Sequence, residues 1–138
     1  EEEYSALQGV IETGRFTMGQ KVSELEVAFA NYFGVKHAVM VNSGSSANLL
    51  AIAALCVTYK DKFRIGANIV VPAVSWATTY YPVSQYGISL RFVDVDAESL
   101  CIDVDSLVDA IDENTAAVFA VNLLGQPADL PRLVAPPP

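Results

Sequence analysis

Hydrophobic residues recur along the chain with two different spacings. In the segment VSELEVAFANYF, apolar side chains have the spacing of one helix face, at Val22, Leu25, Phe29 and Tyr32. This spacing predicts an amphipathic helix that ends at Gly34, and Ser23 with Glu26 has the separation of a capping box at its start. Residues 45–59 are apolar almost throughout, which predicts a second, buried helix.

Four short apolar runs are typical of β-strands: KHAVMVN, NIVVPA, SLRFVDVD and TAAVFAVNLLG. Helical segments alternate with them; ATTYYPVSQYG is expected to start or break near Pro82, and DVDSLVDAID follows the third run. The strand cores 39–41, 69–71 and 117–121 are continuously apolar, as in strands that are buried on both faces. The sequence therefore predicts an α/β fold with a mostly parallel sheet and helices on both faces.

Composition narrows the class of protein. A chain of 138 residues that is 52% hydrophobic is long enough for a single globular unit with a core. Its net charge of -8 leaves no basic face for a phosphate backbone, so nucleic acid is not an expected partner. No apolar run reaches the roughly 20 residues of a membrane span, and EEEYSALQ lacks a signal-peptide pattern. We expect no membrane partner and a cytoplasmic location.

Cys56 and Cys101 form no CxxC pair and are expected to be buried or half-buried thiols, with no metal site.

A polar loop, NSGSSAN, separates the first predicted strand from the apolar helix. Ligands of parallel sheets bind beyond the carboxyl ends of the strands, where this loop is expected. Gly44 allows close backbone approach, and free amides at a helix start attract a phosphate. The alternative is that Ser43, Ser45 and Ser46 only cap the helix, and the loop by itself favours that alternative. The GxGxxG and GxxxxGK[ST] phosphate motifs are absent.

The only tryptophan of the chain, Trp76, follows the second predicted strand. At that position its indole would share a crevice with the polar loop and stack on a planar ring. A core tryptophan that covers the sheet edge is the commoner role for such a residue. Together, a phosphate-binding turn and a stacking aromatic would suit a phosphorylated heteroaromatic cofactor.

Several segments, in order, carry a family resemblance: GRFTMGQKVSELEVAFANYFGVKHAVMVNSGSSANLLAIAAL, IVVPAVSWATTYYPVSQYG, FVDVDAESLCID and VNLLGQPADL. The series resembles the DegT/DnrJ/EryC1/StrS family of sugar aminotransferases from about Gly14 to Leu130. The resemblance implies a fold type I enzyme that uses pyridoxal 5'-phosphate, usually as a homodimer. Its reaction would be transamination of a keto group on a nucleotide-linked sugar by an amino acid such as glutamate, for polysaccharide or glycosylated-metabolite synthesis.

The resemblance also implies roles for individual residues. Gly44, Ser45 and Ser46 match the turn that holds the cofactor phosphate, and Trp76 matches the aromatic residue that stacks on the pyridine ring. Further residues match the family at the edges of the site: Asn122 and Gly125 beside the cofactor, and Thr17 and Gly19 on the substrate side.

No catalytic residue of the family is found in the chain. The family's Asp that pairs with the pyridine nitrogen, and the Lys that forms the Schiff base, lie in segments after GQPADL that have no counterpart here. The lysines present match no such segment and are expected to be solvated, at Lys21, Lys36, Lys60 and Lys62. His37 is expected to be structural.

Residues 1–138 are therefore expected to be the N-terminal part of the cofactor-binding large domain, without activity alone. Two alternatives stay open. Some family members have His in place of the Lys and act as sugar 3-dehydrases, which NSGSSANLLA also resembles. The other alternative is a truncated, non-catalytic product.

Overall fold

The computed structural model describes residues 1–134, which form two compact units, one of residues 1–42 and one that begins at Ser43. The prediction that KHAVMVN forms a strand of the sheet is wrong, because residues 37–42 form no strand. A strand needs a hydrogen-bonded partner strand, and Val39 in this run is 70% exposed.

Helices and strands alternate after residue 43, as predicted. The helices among residues 1–134 are α1 Glu2–Thr13, α2 Gln20–Phe33, α3 Gly44–Thr58, α4 Ala77–Gln85, α5 Val104–Ala110 and α6 Leu130–Val134, with a 3-10 turn at Leu123–Gly125. The strands are β1 Asn68–Pro72, β2 Ser89–Val93 and β3 Thr115–Val118. In this part of the chain no helix has the length and apolar character needed to cross a membrane.

Helix α2 begins earlier than its expected capping box. Its N-cap is Gly19, so Ser23 lies inside the helix, and the capping-box prediction is wrong. The Glu26 carboxylate instead accepts a hydrogen bond from the Met40 amide at 2.9 Å. The predicted end is confirmed, because Gly34 closes the helix with a φ of 65°, a conformation that glycine adopts without strain.

The sheet confirms the predicted α/β architecture. Its strand order is β2-β1-β3, and β1 is parallel to both of its partners. Successive side chains of a strand point to opposite faces. Ile69 and Val71 therefore pack in one core cluster with Ile52 of α3 and Val83 of α4, while Val70 packs on the other face with residues that include Leu107 of α5.

Helix α3 is less buried than its composition predicts. Only Ile52 is buried, while Leu50 is 46% and Val57 69% exposed. The described residues from Ser43 onward cover only the stripe of the helix that carries Ile52, Leu55 and Cys56. Cys56 is half-buried and Cys101 buried, as predicted.

A polar network joins the strands at the amino-terminal side of the sheet. The buried Asn68 donates to the Asp112 carboxylate at 3.2 Å, and Arg91 forms an ion pair with Asp112 at 2.6 Å. Burial raises the pKa of Asp112, but hydrogen bonds from the Asn114 amide, Asn68 and Arg91 outweigh it and hold this pKa below its ordinary value.

Because the pKa of Asp112 is lowered in the folded chain, the stability of the fold is expected to decrease at acidic pH. The carboxyl binds protons less readily in the folded chain than in the unfolded chain. Its contribution is therefore complete above the ordinary pKa of about 3.9 and is lost as pH falls through the lower folded value. We expect Asp112→Asn to lower the melting temperature at pH 7 and to make its decline below about pH 4 shallower. Melting curves from pH 2 to 7 test this, and Asp61→Asn in an exposed loop is the control. An unchanged acid decline in Asp112→Asn would contradict the assignment.

Candidate functional site

The first turn of α3 carries the predicted phosphate-binding residues. Ser43 is the N-cap: its hydroxyl oxygen accepts from the Ser46 amide at 3.1 Å, and its O–H donates to the Ser46 hydroxyl oxygen at 3.2 Å. The capping alternative therefore describes Ser43 and Ser46. It does not describe Ser45, because among residues 1–134 the amides of Gly44 and Ser45 have no acceptor.

This turn has the chemistry of an anion site. Two amides without acceptors point out of the positive end of a 15-residue helix. The exposed Ser45 hydroxyl adds a third donor. A Cβ placed on Gly44 would meet nothing within 4 Å, so the approach to its backbone is open. A phosphate group fits these donors.

Trp76 lies at the carboxyl end of β1 and is the N-cap of α4. Its side chain is 76% exposed, so the interpretation of Trp76 as a core residue is wrong for this structure. The backbone beside it is fixed by the Tyr80 hydroxyl, which donates to the Pro72 carbonyl at 2.9 Å. Burial raises the pKa of Tyr80 above its ordinary value.

One hydrogen bond connects the two predicted cofactor elements. The side-chain amide of Asn48, in the second turn of α3, donates to the Thr78 carbonyl in the first turn of α4 at 3.2 Å. Helices α3 and α4 pack against each other. The structure therefore joins the second turn of α3 to the first turn of α4, and along the chain Ser45 and Trp76 each lie within three residues of this contact.

Asn122 lies after β3, whose carboxyl end meets the same sheet edge as that of β1. The Phe119 amide donates to Val70 of β1 at 2.8 Å, which aligns these two segments. The Asn122 side-chain oxygen accepts from the Ala128 amide at 3.0 Å. This bond orders the following turn, where Gly125 has a φ of 84°. A cofactor role for Asn122 stays a prediction, as does the placement of Gly125 beside the cofactor.

Thr17 and Gly19 belong to the first unit. Thr17 is exposed, and Gly19 lines a cavity of about 370 Å³ together with Arg15 and Lys21. A Cβ on Gly19 would lie 3.3 Å from the Arg15 carbonyl oxygen, so the turn is tight. The substrate-side role of Thr17 and Gly19 stays a prediction.

Asn48 was missed by the sequence reasoning, although a signal for it exists. The prediction that α4 starts or breaks near Pro82 is wrong, because Pro82 lies inside α4. A proline in a helix leaves the carbonyl four residues before it without its N–H donor, and here that carbonyl belongs to Thr78. A donor for this carbonyl was therefore to be expected, and an asparagine in an otherwise apolar stretch of helix is the natural candidate.

Sequence comparison matches residues 1–135 to the DegT/DnrJ/EryC1/StrS aminotransferase family. The chain belongs to this family. The predicted resemblance and the fold that it implies are thereby confirmed.

Known family members resemble the chain over nearly all of its length. A GDP-4-keto-6-deoxy-D-mannose 3-dehydratase of Yersinia pseudotuberculosis is 56% identical over 129 residues. The alignment covers 94% of this chain and 33% of that relative. The chain thus spans about a third of the length of the curated relatives it matches.

Solved family members have the same fold. The Escherichia coli GDP-4-keto-6-deoxy-D-mannose-3-dehydratase with bound hydrated pyridoxal phosphate superposes with a TM-score of 0.89 at 51% identity, over 95% of this chain and 34% of that one. A sugar aminotransferase of Micromonospora echinospora superposes with a TM-score of 0.75 at 30% identity, over 94% of this chain and 34% of that one. The predicted cofactor of the family, pyridoxal phosphate, is confirmed in the first of these relatives.

Proposed function

We propose that this chain is the N-terminal part of the cofactor-binding domain of a pyridoxal-phosphate-dependent enzyme that acts on a nucleotide-linked keto-sugar. The observation that carries the proposal is the pair of amides at Gly44 and Ser45 that have no acceptor among the described residues. They begin a helix that is hydrogen-bonded to the first turn of α4, which follows the exposed Trp76, in a member of a family with pyridoxal-phosphate enzymes. The share of the relatives that the chain spans supports its assignment to a part of a longer protein.

Different residues of the site would hold different parts of the cofactor. The Gly44 and Ser45 amides and the Ser45 hydroxyl would bind the phosphate, and Ser46 acts through its bonds to Ser43. Trp76 would cover one face of the pyridine ring and exclude water from it. When bound, pyridoxal phosphate supplies an electron sink for cleavage of a substrate bond, and the protein orients the reacting groups.

Of the two reactions considered, we favour removal of a sugar hydroxyl, the 3-dehydratase alternative, over transamination. Support comes from the identity of 56% and 54% with two GDP-4-keto-6-deoxy-D-mannose 3-dehydratases, against 30% with a solved sugar aminotransferase. Replacement of a C–OH bond by C–H is a reduction in which the oxygen leaves as water. An amino acid donor would supply the electrons, becoming a keto acid and releasing ammonia.

Product analysis tests this proposal. We expect the full-length protein that contains this chain, given pyridoxal phosphate, glutamate and GDP-4-keto-6-deoxy-D-mannose, to make a sugar nucleotide one oxygen atom lighter that keeps its ketone. Mass spectrometry with ¹⁵N-glutamate separates the two reactions, because transamination places the label in the sugar. A labelled amino-sugar would overturn the dehydratase assignment. Absence of both products and of cofactor binding would contradict the proposed function.

The remaining partners stay predictions. The nucleotide-sugar substrate is supported by the GDP-sugars named for the relatives. The amino acid donor and the homodimer rest on the family resemblance.

A further inference from the structure

We propose that Asn48 is a positioning residue for the cofactor site: it holds the start of α3 against the start of α4 through the carbonyl that Pro82 leaves free. The inference rests on the proposed function, because it takes the α3 turn and Trp76 to be two parts of one site.

The geometry begins with the proline. Pro82 is buried inside α4 and has no N–H to offer to the carbonyl of Thr78, four residues earlier. The Asn48 side-chain nitrogen lies 3.2 Å from that oxygen, in a partly buried position. A carbonyl that is partly shielded from water costs free energy when it has no donor. The proline on one helix and the asparagine on the other therefore complement each other.

Asn48 occupies an unusual place on α3. It lies four residues before Ile52, the one buried residue of this helix, and so faces the same side. If this position were needed only for hydrophobic packing, an apolar residue would be sufficient. An amide here adds a directional contact with α4 that apolar packing does not provide.

The contact connects the parts of the site over a short stretch of chain. Asn48 follows Ser45 by three residues, about one helical turn, and Thr78 follows Trp76 by two. Fixing Asn48 to Thr78 therefore constrains the separation between the Gly44 and Ser45 amides and the backbone that carries Trp76. A ligand held at its phosphate and at its ring depends on that separation.

Removal of the amide is expected to weaken cofactor binding. In the full-length protein, Asn48→Ala should raise the dissociation constant of pyridoxal phosphate roughly three- to tenfold, as for loss of one hydrogen bond. The melting temperature of the cofactor-free protein should fall as well. Asn31→Ala, the same change on the exposed surface of α2, is the matched control and should change neither quantity.

A second background separates positioning from a merely structural role. Pro82→Ala restores an N–H that can reach the Thr78 carbonyl. In that background Asn48→Ala should lower the melting temperature much less than it does in the wild type. It should still weaken cofactor binding three- to tenfold, because the link between the helices is still lost. The restored donor also protects the double variant from failing to fold.

Two results would overturn the inference. One is an Asn48→Ala protein that binds pyridoxal phosphate as the wild type does. The other is recovery of the lost affinity together with stability when Pro82→Ala is added, since Asn48 would then act only by satisfying a carbonyl. Failure of the wild type to bind pyridoxal phosphate is a separate outcome, which would contradict the proposed function together with this inference.

Discussion

Ser45→Asp is expected to weaken binding of pyridoxal phosphate about a hundredfold, while the cofactor-free protein keeps its stability. Two unit charges 4 Å apart repel by about 1 kcal/mol in bulk water and about 4 kcal/mol near a protein surface, and about 1.4 kcal/mol corresponds to tenfold in affinity. In the folded protein without cofactor, an acidic side chain in the first turn of α3 is favoured by the helix dipole. The substitution should therefore lower the affinity for the cofactor without lowering the stability of the cofactor-free protein.

Cofactor titration followed by absorbance, with melting curves of the cofactor-free protein, measures both effects of Ser45→Asp. Ser5→Asp is the matched control, because it makes the same change near the start of α1. It should leave the affinity unchanged. If Ser45→Asp bound the cofactor as tightly as Ser5→Asp, the turn would be a helix start without a phosphate role.

Ile69→Ala is expected to lower the free energy of unfolding by about 2–5 kcal/mol. Ile69 is 1% exposed in the central strand β1 and belongs to the core cluster that includes Ile52 of α3 and Val83 of α4. Its truncation would leave a cavity under the helix pair that carries the candidate site. The denaturation midpoint in urea should fall accordingly.

Ile65→Ala is the control for the core variant, since Ile65 is 98% exposed. The same three-carbon truncation there should change the free energy of unfolding by no more than about 0.5 kcal/mol. Equal losses in the two variants would mean that β1 is not the centre of the core.

The sheet was predictable because its physical signal is local. Continuous apolar runs such as IVV at residues 69–71 are buried on both faces, and their alternation with helical segments leaves a parallel sheet as the simple arrangement. The run at residues 37–42 has the same local signal but pairs with no strand among the described residues. Strand formation depends on a partner, and no periodicity in the run itself reports one.

The candidate site was predictable in its residue types and less so in its contacts. Helix-start chemistry indicates Gly44 and Ser45, and the family resemblance adds Trp76. Whether Trp76 is exposed depends on how α4 leaves β1, which the sequence around it does not specify. The Asn48 contact joins residues 30 positions apart, and such a pairing becomes visible only when both helices are placed.

A crystal structure of the full-length protein with pyridoxal phosphate tests the central claim most directly. We predict phosphate oxygens about 2.7–3.2 Å from the amide nitrogens of Gly44 and Ser45. We also predict the pyridine ring stacked on the Trp76 indole at van der Waals distance, about 3.5–4 Å. A phosphate group bound elsewhere, with these two amides left to water, would contradict the account.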